Sequence, residues 1–166
     1  MTTSSTGVHQ KKNLFSTILL TGLLVGILDI TAAMIKFYID TGRGPAPIFK
    51  YIASGVFGNE AFAGGTIMIA SGVIFHFIIA LIFTAILFIL YPTISRWIKS
   101  KILIGILYGI VIWLVMNRVV LPLSGTPAPK SFDIKQAVIG ALILIFMIGI
   151  PASIIAHRYY SKKVTA

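Results

Sequence analysis

Five polar side chains could do chemistry within otherwise apolar runs of this sequence: Asp29, Lys36, His76, Asn117 and Arg118. Asp29 and His76 carry acid–base potential. A carboxyl and an imidazole at one depth in a low-dielectric medium can share a proton and titrate near neutral pH. That would make a proton-responsive or ion-conducting site. The same pair could be a static hydrogen bond between helices, or the two could face different ways. Lys36, Asn117 and Arg118 form a basic group nearer the outer surface. They could line an outer vestibule for an anion or a lipid headgroup. Alternatively, the two basic stems extend along the helix to reach the interface. No carboxylate pair, metal-spaced histidine pair or glycine-rich phosphate loop accompanies them. Ser124 and Ser131 flank loops with no base in register. One deep histidine does not make a bis-histidine haem site. With no cysteine in the chain, thiolate chemistry and iron–sulfur ligation are excluded. The sequence therefore reads as a non-enzyme, with no catalytic residue, metal or cofactor.

The elements that must carry these residues are set by hydrophobicity. Of 166 residues, 57% are apolar and 11% charged, and mean hydropathy is +0.98. A soluble domain carries roughly 25% charged residues, so this chain cannot coat a globule with polar surface. Four apolar runs, about 14–39, 66–91, 102–121 and 135–157, are each long enough to cross ~30 Å of hydrocarbon as helices. Strands are excluded because backbone groups in lipid must bond within their own segment. Between the first two runs, Ile48, Phe49, Ile52, Val56 and Phe57 recur at helical spacing behind Pro45 and Pro47. They predict a short interfacial helix over about 46–57. The expected fold is an all-α membrane protein, a four-helix antiparallel bundle forming a single transmembrane domain over 13–160. Residues 1–12 read as a disordered cytoplasmic tail, and 161–166 as a second one. Lys11-Lys12, the apolar stretch and Thr31-Ala32-Ala33 loosely resemble a cleaved signal peptide. The apolar pattern resumes after Ala33, which favours a retained helix.

The net charge of +10 does not point to nucleic acid, because the bases flank the apolar runs. The two tails and the connection between the second and third runs hold eight Lys or Arg and no acid. The other two connections hold four bases against three acids. This asymmetry puts both termini in the cytoplasm. With that topology, Asp29 and His76 lie ~15 Å below the outer surface, and Lys36, Asn117 and Arg118 ~5–7 Å below it. A carboxylate at mid-bilayer costs at least ~2.5–3.5 kcal/mol, so Asp29 must be protonated, paired or hydrated.

Three stripes of small and polar residues suggest close helix packing. They are Gly22, Gly26, Asp29, Ala33 and Lys36; Gly72, His76, Ala80 and Thr84; and Gly105, Gly109, Trp113 and Asn117. These stripes are expected to face one another. Pro151 is expected to kink the fourth helix. One hairpin also recurs. Gly22 and Gly26 match Gly105 and Gly109 at an offset of 83. Lys36 matches Arg118, and Pro45-Ala46-Pro47 matches Pro127-Ala128-Pro129, at 82. Two hairpins of one direction would be related by an axis along the membrane normal.

The string Leu121-Pro-Leu-Ser-Gly-Thr-Pro-Ala-Pro129 resembles the segment after the third helix of the YagU-like bacterial inner-membrane proteins. Gly22-Leu-Leu-Val-Gly26 followed by Lys36 resembles their first helix, and His76 with the aromatic-rich run after it their second. The likeness spans most of residues 20–155. The connection between the first two helices departs in length and lacks cysteine. The resemblance implies a four-helix protein of the bacterial cytoplasmic membrane, associated with acid tolerance, and brings no catalytic residues. Two functions follow from the sequence. The first is a small transport or channel-like protein, proton-linked through Asp29 and His76, with the transported species unspecified. The alternative is a non-transporting accessory or structural membrane protein whose buried polar residues serve helix assembly. In either case the lipid bilayer is a partner. A homo-oligomer is expected, since four helices enclose little space.

Overall fold

The computed structural model describes residues 13–127 and 133–164, with side chains to residue 161. The expected tail 1–12, Ala128, Pro129 and Ser131 lie outside the described residues. Four helices are long and apolar enough to span a membrane: α1 (Leu14–Thr41), α4 (Thr66–Trp97), α5 (Lys101–Leu123) and α6 (Ile134–Ser161). Two short helices, α2 (Ala46–Phe57) and α3 (Glu60–Ala63), fill the first connection. The protein is an all-α, multi-pass membrane bundle. One end of it carries α2; the opposite, terminal end carries the start of α1 and the end of α6.

Local signals explain the boundaries. Asn13, Ser100 and Asp133 each accept a hydrogen bond from a backbone N–H in the first turn of α1, α5 and α6, satisfying donors that a helix start leaves bare. α1 runs to Thr41, where Gly42 adopts φ +66° and returns its N–H to the Tyr38 carbonyl. α2 begins at Pro45-Ala46-Pro47, where missing N–H groups cost nothing.

α4 departs from the sequence expectation. Its apolar run ends at Tyr91, before Pro92, yet the helix continues through the proline to Trp97. Proline has no N–H, so the Phe88 carbonyl one turn earlier loses its helical donor. The Tyr160 hydroxyl of α6 donates to that carbonyl at 2.8 Å. The Tyr160 ring stacks on Tyr91 with centroids 5.9 Å apart. The orphaned acceptor is filled from a neighbouring helix, and α4 need not stop. α6 likewise continues as helix to Val164, into the segment expected to be a tail.

α5 and α6 each contain one π-helical turn, Met116–Val120 and Ile145–Gly149. In both, a proline follows the turn after one intervening residue: Leu121-Pro122 and Ile150-Pro151. Bonding from i to i+5 widens the helix just where the proline ring would crowd a carbonyl. The feature expected at Pro151 is thus a wide turn preceding it.

Glycines set the closest packing, and their partners differ from the sequence expectation. The α1 stripe does face α4. A Cβ on Gly22 would meet Leu81, and one on Gly26 would meet Phe77 and Ala80. The α5 stripe turns instead toward α6, where Gly105 faces Gly149 and Ile150, and Gly109 faces Ile145. Gly72 of α4 faces the Phe49 backbone of α2. The reason is local: the glycine pairs of α1 and α5 each pack on the second helix of their own hairpin.

This pairing brings the repeat into three dimensions. Gly22 on Leu81 corresponds to Gly105 on Ile150, and Gly26 on Phe77 to Gly109 on Ile145. Along the second helices, Gly72 and Gly140 are 68 apart, as are Phe77 and Ile145. Beyond the π turn the offset is 69, for Leu81 and Ile150, Thr84 and Ser153, and Tyr91 and Tyr160. The extra residue of α6 is absorbed by its π turn. The second connection is 14 residues shorter, 82 minus 68, and has no counterpart of α2 among the described residues.

α2 packs across α4, with Phe57 stacked on Phe75 at 6.0 Å. Its other side meets the turn after α5, where Gly125 N–H donates to the Gly55 carbonyl at 2.9 Å. α5 itself packs chiefly on α6 and only lightly on α4. The buried core lies toward the terminal end, around Val25, Leu87, Phe88, Tyr91, Ile104 and Ile148.

Backbone sits where two of these glycines would carry a methyl group. On Gly149 a Cβ would collide with the Gly105 carbonyl oxygen, and on Gly72 with that of Phe49. Gly149→Ala and Gly72→Ala should each cost about 2 kcal/mol through forced helix separation. Gly44→Ala, with nothing within 4 Å, should be neutral. Thermal unfolding in detergent micelles checks this; equal midpoints for all three would remove the close-packing account.

Candidate functional site

Asp29 lies near the middle of α1, on the same helical face as Gly22 and Gly26. That face packs on α4. His76 is buried on α4, beside the joint made by Gly26, Phe77 and Ala80. Its Nε2 lies 2.9 Å from the Gly26 carbonyl oxygen. A carbonyl only accepts, so Nε2 carries a proton and donates. Within α1 the same carbonyl is the acceptor for the Ile30 N–H. His76 therefore uses the second lone pair and leaves the helix ladder intact.

Asp29 is half-buried and close enough to His76 to interact with it electrostatically. No hydrogen bond reaches its carboxyl among the described residues. The two residues are near enough to influence each other electrostatically, but the bond from His76 goes to the main chain.

The three basic-vestibule candidates are not joined. Lys36 donates to Asp40 at 2.6 Å, one turn further along α1, and to the Gln136 side-chain oxygen of α6. The Asn117 amide turns back to the Trp113 carbonyl of its own helix at 2.9 Å. Arg118 is exposed in the same π turn. Lys36 is thus paired with Asp40 and ties α1 to α6, while Asn117 and Arg118 stay on α5. No cluster of three or more His, Cys, Asp or Glu that could hold a metal occurs among the described residues.

Three further ties between spans were missed in the sequence. Tyr108 of α5 donates to the Phe83 carbonyl of α4 at 2.5 Å. Ser153 of α6 donates to the Lys101 carbonyl of α5 at 2.6 Å. The third is the Tyr160 bond to Phe88. With His76 they make one pattern: a side chain of one span donates to the main chain of another. The repeat offset could have singled out Ser153, since it falls on Thr84. Tyr108 and Tyr160 gave no such sign, because tyrosines near span ends also read as interfacial anchors.

Compared with protein-family models, curated proteins and solved structures, the chain matches none.

The His76 bond has a measurable worth. Interhelical hydrogen bonds in membrane proteins contribute roughly 0.6 kcal/mol, up to about 1.7. His76→Leu should lower stability by about 1 kcal/mol in that range. His76→Gln, which restores a side-chain N–H donor, should recover part of the loss. Unfolding titrations in sodium dodecyl sulfate would resolve this order. A His76→Leu protein as stable as the parent would show that the bond carries nothing.

Proposed function

We propose that this chain is a non-transporting accessory or structural membrane protein whose buried polar residues serve to fix its helices. One observation carries the reading: His76, the deepest ionisable partner available to Asp29, donates to the Gly26 backbone instead. A proton relay needs a donor and acceptor that exchange a proton. A main-chain carbonyl cannot play that part but makes a good anchor, and no hydrogen bond joins the remaining nitrogen, Nδ1, to Asp29 among the described residues. Tyr108 and Ser153 repeat the arrangement elsewhere in the bundle.

A second reading, a small transport or channel-like protein, rests on Asp29. Its carboxyl lies mid-span beside an imidazole without a hydrogen bond of its own, the condition in which a group can exchange protons. Purified protein in liposomes separates the two. The accessory reading expects proton and ion flux equal to that of empty vesicles, in the parent and in Asp29→Asn alike. Flux in the parent that Asp29→Asn abolishes, with assembly intact, would reverse the choice.

We place both termini in the cytoplasm, on the excess of Lys and Arg at that end. The resemblance to YagU-like proteins supports a bacterial cytoplasmic membrane. The absence of cysteine makes topology directly measurable with single introduced thiols. In intact cells a membrane-impermeant maleimide should label Asn59→Cys and spare Lys99→Cys. The opposite labelling would invert the topology.

A further inference from the structure

The connection between α1 and α2 forms a ridge with an apolar groove on each side. One groove, of about 390 Å³, runs from Arg43 past Pro47 and Phe49 to Ile69 of α4. The other, of about 290 Å³, runs from Arg43 past Tyr38 and Ile35 to Met34 of α1. Gly44 and Pro45 wall both, and Arg43 stands where they meet.

Arg43 is exposed, and its guanidinium has no partner among the described residues. The nearest acid along α1, Asp40, is already held by Lys36 at 2.6 Å. A single uncompensated positive charge thus caps two apolar channels. Met34 lies seven residues, ~10 Å, down α1 from Thr41, so the second groove descends from the helix end along an apolar span. Tyr38 beside it is the residue type that settles at headgroup level. A ligand that matches this layout has one negative head and two apolar tails.

We propose that Arg43 and the two grooves meeting at it bind one anionic diacyl phospholipid, its phosphate on the guanidinium and one acyl chain in each groove. The occupant comes from the surrounding bilayer. Charge complementarity selects it over a zwitterionic lipid, which brings its own cation to the same place. One arginine near a membrane surface is worth about a fivefold preference for anionic lipid.

Native mass spectrometry of the purified full chain, titrated with phosphatidylglycerol and phosphatidylcholine of identical acyl chains, tests this. The parent should retain one phosphatidylglycerol with about fivefold preference. Arg43→Gln should lose the preference, and Arg43→Lys should keep most of it. Ala46→Trp, which fills one groove and leaves the charge, should weaken retention of phosphatidylglycerol. Glycerol phosphate, a headgroup without chains, should fail to compete, which separates a lipid from a free phosphate. Phosphatidylglycerol should also raise the unfolding midpoint of the parent and not of Arg43→Gln. Equal retention of the two lipids by the parent would mean ordinary annular contact and overturn the proposal. A preference that survives in Arg43→Gln, competition by glycerol phosphate, or a dimer that lipid does not dissociate would overturn it too.

Discussion

In hydrocarbon, a polar group has no water to fall back on, and the rest of this structure is arranged around that constraint. Each span satisfies its own ladder of N–H and C=O groups. What remains everywhere is the second lone pair of each carbonyl. His76, Tyr108, Ser153 and Tyr160 each join one helix to the backbone of another through such a carbonyl. A bond of this kind needs a single matching side chain rather than two. The accepting residue's own side chain takes no part in the bond, although at Gly26 close packing still favours glycine. Three of the four acceptors lie in regular helix, and the fourth, at Phe88, is the carbonyl that Pro92 deprives of its donor. The Tyr160 bond is therefore the one whose loss would leave a bare buried acceptor.

Long tyrosines reach across wider gaps, but the short Ser153 and the His76 ring need backbones that come close, and glycine helps decide where that happens. At Gly149 the place of a Cβ is occupied by the Gly105 carbonyl, and at Gly72 by that of Phe49. At both places the backbones approach more closely than any residue with a Cβ would permit. Lipid chains are as apolar as the helix surfaces, so no hydrophobic force drives the spans together. Close packing and the carbonyl-directed bonds must supply the association, and they occur side by side: Ser153 lies one turn beyond Gly149, and His76 one turn beyond Gly72.

The number, length and type of the helices are legible in the sequence because hydropathy in lipid is a nearly local property. The short helix at 46–57 is legible because its proline start and apolar spacing are local too. The end of α4 is not, because whether a helix survives Pro92 depends on Tyr160, nearly seventy residues away. Glycines mark contact points, but a stripe of small residues does not name the helix it faces. Counting residues from the span ends sets Asp29 and His76 at one depth, and in the structure they interact electrostatically without a hydrogen bond between them. Depth fixes only one coordinate. Whether His76 chooses the carboxyl or the carbonyl turns on a lateral placement that no spacing encodes.

The two hairpins share their glycine contacts but not their surroundings, and that difference bears on function. Parallel-repeat membrane proteins that move solutes work between two like halves about a central axis. Here the first connection carries α2, which packs across α4 and is tied at Gly55 to the turn after α5. The second connection is 14 residues shorter and shows no equivalent helix among its described residues. α2 thus links two spans that touch only lightly, through the Gly55–Gly125 bond on one side and the Gly72–Phe49 contact on the other. Two hairpins with like glycine contacts are fastened on one side only. That asymmetry accords with the accessory role proposed above, in which the helices are fixed rather than moved.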